Sequence, residues 1–121
     1  MRNLKNALAS GKPVIGSWLN SGSPIVAELM AASGFDFICV DAEHSAVDLP
    51  QTQALFQAIR SGNPDCAAMV RLHGVDDALV KRYLDAGARG VVAPLVCCRE
   101  EAELLVKATK YPPEGMRGLG F

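Results

Sequence analysis

The chain has 121 residues, of which 50% are hydrophobic and 21% charged, with a formal net charge of -1. That is enough for one domain around one apolar core, and so even a charge balance gives neither nucleic acid nor an anionic membrane as a partner. The longest apolar stretches are strand-sized, far short of the ~18 to 20 residues that cross a bilayer. The first residues, Met1 to Lys5, lead into no signal-peptide core, so a cytoplasmic protein is expected. Cys39, Cys66, Cys97 and Cys98 form no CxxC pair and no Cys/His zinc spacing. They are expected to be buried, reduced thiols.

In chain order, residues 14–19 (VIGSWL) form a first strand. Ser23 is placed to cap a helix over 24–33 that starts on Pro24, carries Ile25, Val26, Leu29 and Met30 at helical spacing, and closes on Gly34. A second strand, 35–40, is too apolar for a wet face, and Asp41-Ala42-Glu43-His44 follow it as a loop. A second helix begins near Pro50, with Leu55, Phe56 and Ile59 on one side, and ends at the Ser61-Gly62-Asn63-Pro64 turn. The third strand is 67–70, ending in Arg71. The third helix runs from a cap at Asp76 to Gly87. A fourth strand, 90–93, ends in Pro94, and a fourth helix over 99–110 turns Ala102, Leu105, Val106 and Thr109 inward before Pro112-Pro113 stops it.

Four βα units in a row predict an α/β fold with a parallel sheet covered on both faces. This is the pattern of a (β/α)8 TIM barrel, here about its first four units in one domain, since a complete barrel takes about 250 residues. Four strands cannot seal a barrel, so a second copy or further strands are expected to cover the open edges.

In such sheets sites form at the carboxyl ends of the strands. Trp18 stands at the first such end, Asp41, Glu43 and His44 at the second, and Arg71 at the third. An Asp three residues before a His can orient an imidazole for acid/base work, and a guanidinium fork fits a carboxylate. Singly, each has a plainer explanation. Asp41 can cap a turn, His44 can be a wetted loop residue, Arg71 can sit in an ion pair, and Trp18 can be rim packing. Their placement on adjacent strand ends favours a site for a small anion.

Several segments together resemble the HpcH/HpaI aldolases, the metal-dependent pyruvate aldolases. They are Gly16-Ser17-Trp18-Leu19, the stretch from Gly34 through Asp41-Ala42-Glu43-His44, Val70-Arg71, Leu84-Asp85-Ala86-Gly87-Ala88, and Tyr111-Pro112-Pro113-Glu114-Gly115-Met116-Arg117-Gly118. The resemblance implies reversible aldol cleavage of a 2-keto-4-hydroxy acid to pyruvate and an aldehyde, with a divalent cation (Mg, Mn or Co) stabilising the pyruvate enolate. The incomplete barrel, for its part, makes a homo-oligomer the expected state. By position the resemblance makes His44 the acid/base residue, Asp41 its orienting partner, Arg71 the holder of the pyruvate carboxylate, Asp85 a support for the histidine near a subunit boundary, and Trp18 a pocket wall. The metal ligands it implies are a Glu and an Asp on later strands, beyond Phe121, leaving none in this chain. One alternative is a catalytically silent half barrel that binds small carboxylates or serves as an oligomeric structural protein. Another is a citryl-CoA-lyase-like enzyme, against which the D-x-E-H loop speaks.

Overall fold

The computed structural model describes residues 4–120. Met1, Arg2 and Asn3, used above in looking for a signal-peptide core, and Phe121, the chain's last residue, lie outside them. A short helix, α1 (Leu4–Ala9), precedes four βα units: β1 (Gly16–Leu19) and α2 (Pro24–Ala32), β2 (Phe37–Asp41) and α3 (Leu49–Gly62), β3 (Ala67–Arg71) and α4 (Asp77–Asp85), β4 (Gly90–Val92) and α5 (Arg99–Thr109). The strands form one parallel sheet in the order β1-β2-β3-β4. All four predicted strands and helices are present, with ends shifted by a few residues. The unpredicted element is α1, whose six residues are too few for periodicity to decide.

Side chains alternate across the sheet. Leu19, Ile38, Val40, Ala68 and Val70 face the helices and join Leu55, Phe56 and Ile59 of α3 in the core. Burying each large one contributes roughly 1.5–3 kcal/mol. The opposite set lines an open concavity of about 610 Å³, whose walls include Trp18, Phe37, Cys39, Met69 and Val92, with Leu8 of α1 beside them. Register stacks this inner face in layers: Gly16, Phe37 and Ala67, then Trp18, Cys39, Met69 and Gly90, then Asp41, Arg71 and Val92. A Cβ at Gly16 in the lowest layer would lie 2.2 Å from the Phe37 ring, so a larger residue there would have to displace that ring.

The helix ends follow their local chemistry. Asp48 caps α3 in a capping box with Gln51, and Asp76 caps α4 by accepting from the N–H groups of Ala78 and Leu79. Gly34 closes α2 with a positive φ of 94°. Ser23 occupies the cap position of α2, but its side chain makes no capping bond.

Three packing expectations are corrected. The buried line of α2 is Ala27 and Ala31, while Ile25 and Leu29 are 71% and 64% exposed. Small residues let α3 close in: a Cβ on Gly62 would lie 2.3 Å from the Glu28 carbonyl oxygen. On α5 the inward seam is Leu105 and Ala108, with Thr109 partly covered and Ala102 and Val106 exposed, because that helix packs sideways on α4. Finally, Cys39 and Cys66 are buried but Cys97 and Cys98 are exposed. They lie past the end of β4, where the Glu101 carboxylate accepts from both of their backbone N–H groups.

Candidate functional site

The top layer of the inner face holds a charged cluster. Asp41 ends β2 and Arg71 ends β3, and the register sets them directly opposite each other. Arg71 donates from Nε to Asp41 Oδ1 at 3.0 Å and from Nη2 to Oδ2 at 2.5 Å. Oδ1 also accepts from the backbone N–H groups of Glu43 and His44, each at 3.1 Å, and Oδ2 from Nδ2 of Asn20 at 2.8 Å. Asp41 is 1% exposed. Despite that burial, the Arg71 hydrogen bonds and the two loop N–H groups hold its carboxyl well below the usual carboxylate range, and Asp41 in turn raises Arg71.

The loop after β2 is folded by this carboxylate. Two of its backbone N–H groups point at Asp41 Oδ1, and the Ser45 hydroxyl donates back to the Asp41 carbonyl. That arrangement lifts Glu43 and His44 over the rim. Glu43 Oε2 lies 3.4 Å from Arg71 Nε and its Oε1 3.7 Å from His44 Nε2, so one carboxylate touches both the guanidinium and the imidazole. The imidazole is 70% exposed at the open side.

Trp18 lies within β1 rather than after it, and is half exposed. The Arg71 guanidinium carbon sits 4.8 Å from its ring centroid, which sets the plane of the fork. A guanidinium has five N–H donors. With the Nε/Nη2 edge taken by Asp41, the Nη1/Nη2 edge is left to grip a carboxylate. The group is thus a cation held in place by Asp41, with an exposed imidazole beside it.

The structure therefore brings together Trp18, Asp41, His44 and Arg71 of the predicted site residues. Within this chain it does not bring in Asp85, which sits at the C-terminal end of α4 and pairs with Arg117 at 2.7 Å. That end leads into β4 beside Ala68, at the opposite end of the sheet from the cluster. Asp41 holds the backbone N–H of His44, and the carboxylate near the ring belongs to Glu43. Asn20, just beyond β1, was missed. A polar residue past a strand end was the available clue. Among the described residues no group of three His, Cys, Asp or Glu side chains comes together as a metal seat.

A parallel sheet with helical connections and a charged cluster at its carboxyl ends defines a protein of the (β/α)-barrel class. Residues 14–119 match the family model described as HpcH/HpaI aldolase/citrate lyase, and the chain belongs to that family. It is 41% identical over 120 residues to a 4-hydroxy-2-oxovalerate aldolase of Rhodococcus jostii, covering 99% of this chain and 46% of the relative. It is 43% identical over 116 residues to a hydroxypyruvate/pyruvate aldolase of Deinococcus radiodurans, covering 96% and 41%. An HpcH/HpaI aldolase from Desulfitobacterium hafniense superposes with a TM-score of 0.86 at 38% identity, covering 98% of this chain and 45% of that one. The chain spans less than half the length of the curated relatives it matches.

Proposed function

We propose that these residues form part of the site of a carbon–carbon lyase that reversibly cleaves a 2-keto-4-hydroxy acid into pyruvate and an aldehyde. The observation that carries this reading is the Arg71 fork, locked by Asp41 on one edge and open on the other, with His44 over the same rim. The relatives named as aldolases of 4-hydroxy-2-oxovalerate and pyruvate support it.

In this reading the open edge of Arg71 binds the substrate carboxylate and its positive charge favours the enolate. His44, directly or through water, takes the proton of the C4 hydroxyl. The C3–C4 bond breaks, its electron pair passes to C3 and the keto oxygen as pyruvate enolate, and the aldehyde leaves. The imidazolium then returns a proton to C3, giving pyruvate. Asp41, ionised and surrounded by donors, orients Arg71 and the loop rather than moving protons.

The divalent cation (Mg, Mn or Co) implied by the family would supply Lewis-acid stabilisation of the enolate. The side chains here do not fit it by themselves, since Glu43 is shared by Arg71 and His44 and no third ligand joins them among the described residues. No step is therefore assigned through it. A homo-oligomer belongs to the same reading, supported by the exposed apolar Ile25 and Leu29 on α2.

The test is exchange of the pyruvate methyl protons for deuterium, followed by proton NMR on the intact protein with each of the three cations in turn. Exchange that needs His44 is expected. Pyruvate binding without exchange, in a folded protein, would replace the lyase with a carboxylate-binding protein.

A further inference from the structure

We infer that Asn20 is a specificity-determining residue of this site, its amide reading a hydroxyl group on the aldehyde-derived half of the substrate. The inference rests on the lyase reading above and adds a substrate class to it.

Asn20 lies one residue past β1, on the same face as Trp18, and is exposed, yet its amide is tied to a carboxylate that is 1% exposed. Asp41 receives two donors from Arg71 and two backbone N–H groups besides the Asn20 amide. A carboxylate so surrounded is an acceptor only, so the amide must face it with nitrogen. This settles the orientation of the whole group. Oδ1 and the second Nδ2 proton are turned away from Asp41, on a residue that is exposed. Among the described residues the side-chain amide has no other partner.

Its neighbour is equally determined. Asn20 Nδ2 and Arg71 Nη2 both bond Asp41 Oδ2, at 2.8 and 2.5 Å. The two donors lie side by side on one carboxylate oxygen, so a keto acid whose carboxylate rests on the open edge of Arg71 has the Asn20 amide as a neighbouring group. An amide offers one donor and one acceptor side by side. That pair matches a hydroxyl, which both donates and accepts; a ketone or carboxylate oxygen only accepts, and a methyl group does neither. Sites that hydrogen-bond a substrate hydroxyl reject the analogue lacking it.

The experiment compares glycolaldehyde with acetaldehyde as acceptors for pyruvate in the intact protein, in wild type, Asn20→Ala and Asn20→Ser. Pyruvate methyl exchange is measured alongside. Expected in Asn20→Ala is a fall in kcat/KM for glycolaldehyde about tenfold greater than the fall for acetaldehyde or for methyl exchange, the scale of one hydrogen bond. Asn20→Ser, which keeps a donor and an acceptor, should recover part of the loss. Equal losses for both aldehydes and for exchange would reduce Asn20 to a brace for Asp41 and overturn the inference. An unchanged aldehyde ratio overturns it too. A folded wild type that exchanges no methyl protons overturns the lyase reading, and this inference with it; exchange without discrimination at position 20 sinks the inference alone.

Discussion

Asp41 and Arg71 face each other across neighbouring parallel strands and are joined by two hydrogen bonds, Nε to Oδ1 at 3.0 Å and Nη2 to Oδ2 at 2.5 Å. Thirty residues separate them in the chain, and the pair occupies one layer of the inner face. Trp18 stacks on the same guanidinium from β1. Three strands thus fix the plane of one cation.

Arg71→Lys keeps the charge but loses the fork, since an ammonium cannot bond Asp41 at two points and offer a second two-point edge. In the intact protein pyruvate exchange should fall by about a hundredfold, the scale of a misplaced binding group. Full activity in the lysine variant would remove the fork from the mechanism.

His44→Ala should leave thermal unfolding almost unchanged, because the side chain is 70% exposed. Aldol turnover should fall by about 10² to 10⁴, the usual range for a lost general acid/base. Melting curves and initial rates on the same preparation separate the two effects, and a rate within twofold of wild type would exclude the imidazole as the proton carrier.

Asp41 has its pKa lowered in the folded state, mainly by the Arg71 hydrogen bonds. Its contribution to stability is therefore complete above the unfolded value of about 3.9 and is lost as pH falls below it toward the depressed folded value. Urea midpoints for wild type and Asp41→Asn should differ most near pH 7, and the gap should narrow below about pH 4. A gap that stays constant from pH 7 to pH 2.5 would mean the carboxylate charge is not what stabilises the site.

Burial pushes the Cys39 thiol up to about 12 and the Cys66 thiol up to about 11, whereas Cys97 and Cys98 are exposed. A thiol-specific chromophore at pH 8 should label two groups quickly in the native protein and the other two only on unfolding. Mass mapping assigns them; rapid labelling at Cys39 would contradict the packing of the inner face.

Leu55→Ala removes a fully buried side chain of α3 and should cost about 2–5 kcal/mol in urea unfolding. Leu29→Ala, on the exposed side of α2, should cost less than about 0.5 kcal/mol in a dissociated chain. Equal costs would show that the seam between α2 and α3 is misassigned.

Much of this was legible from residues 14 onward: the four βα units, the Asp76 cap, the Gly34 closure and the apolar side of α3 all follow from neighbours within a turn or a strand. The same local patterns misled where two faces of a helix are apolar. On α2 the larger Ile25 and Leu29 suggest the buried side, but alanines win because α3 approaches closely there. On α5 the packing partner is a helix beside it, so the seam turns toward Leu105 and Ala108.

For the candidate site, the chain's own order of residues determined which groups reach the strand ends: Trp18, Asp41, Glu43, His44 and Arg71. Whom each one meets was decided only by the register of the parallel strands. That register bound Asp41 to Arg71 and Asn20 instead of the His44 ring and put Glu43 between the guanidinium and the imidazole, while helix packing left Asp85 with Arg117 elsewhere. Strand pairing depends on side chains thirty residues apart packing into common layers, and no local pattern carries that information.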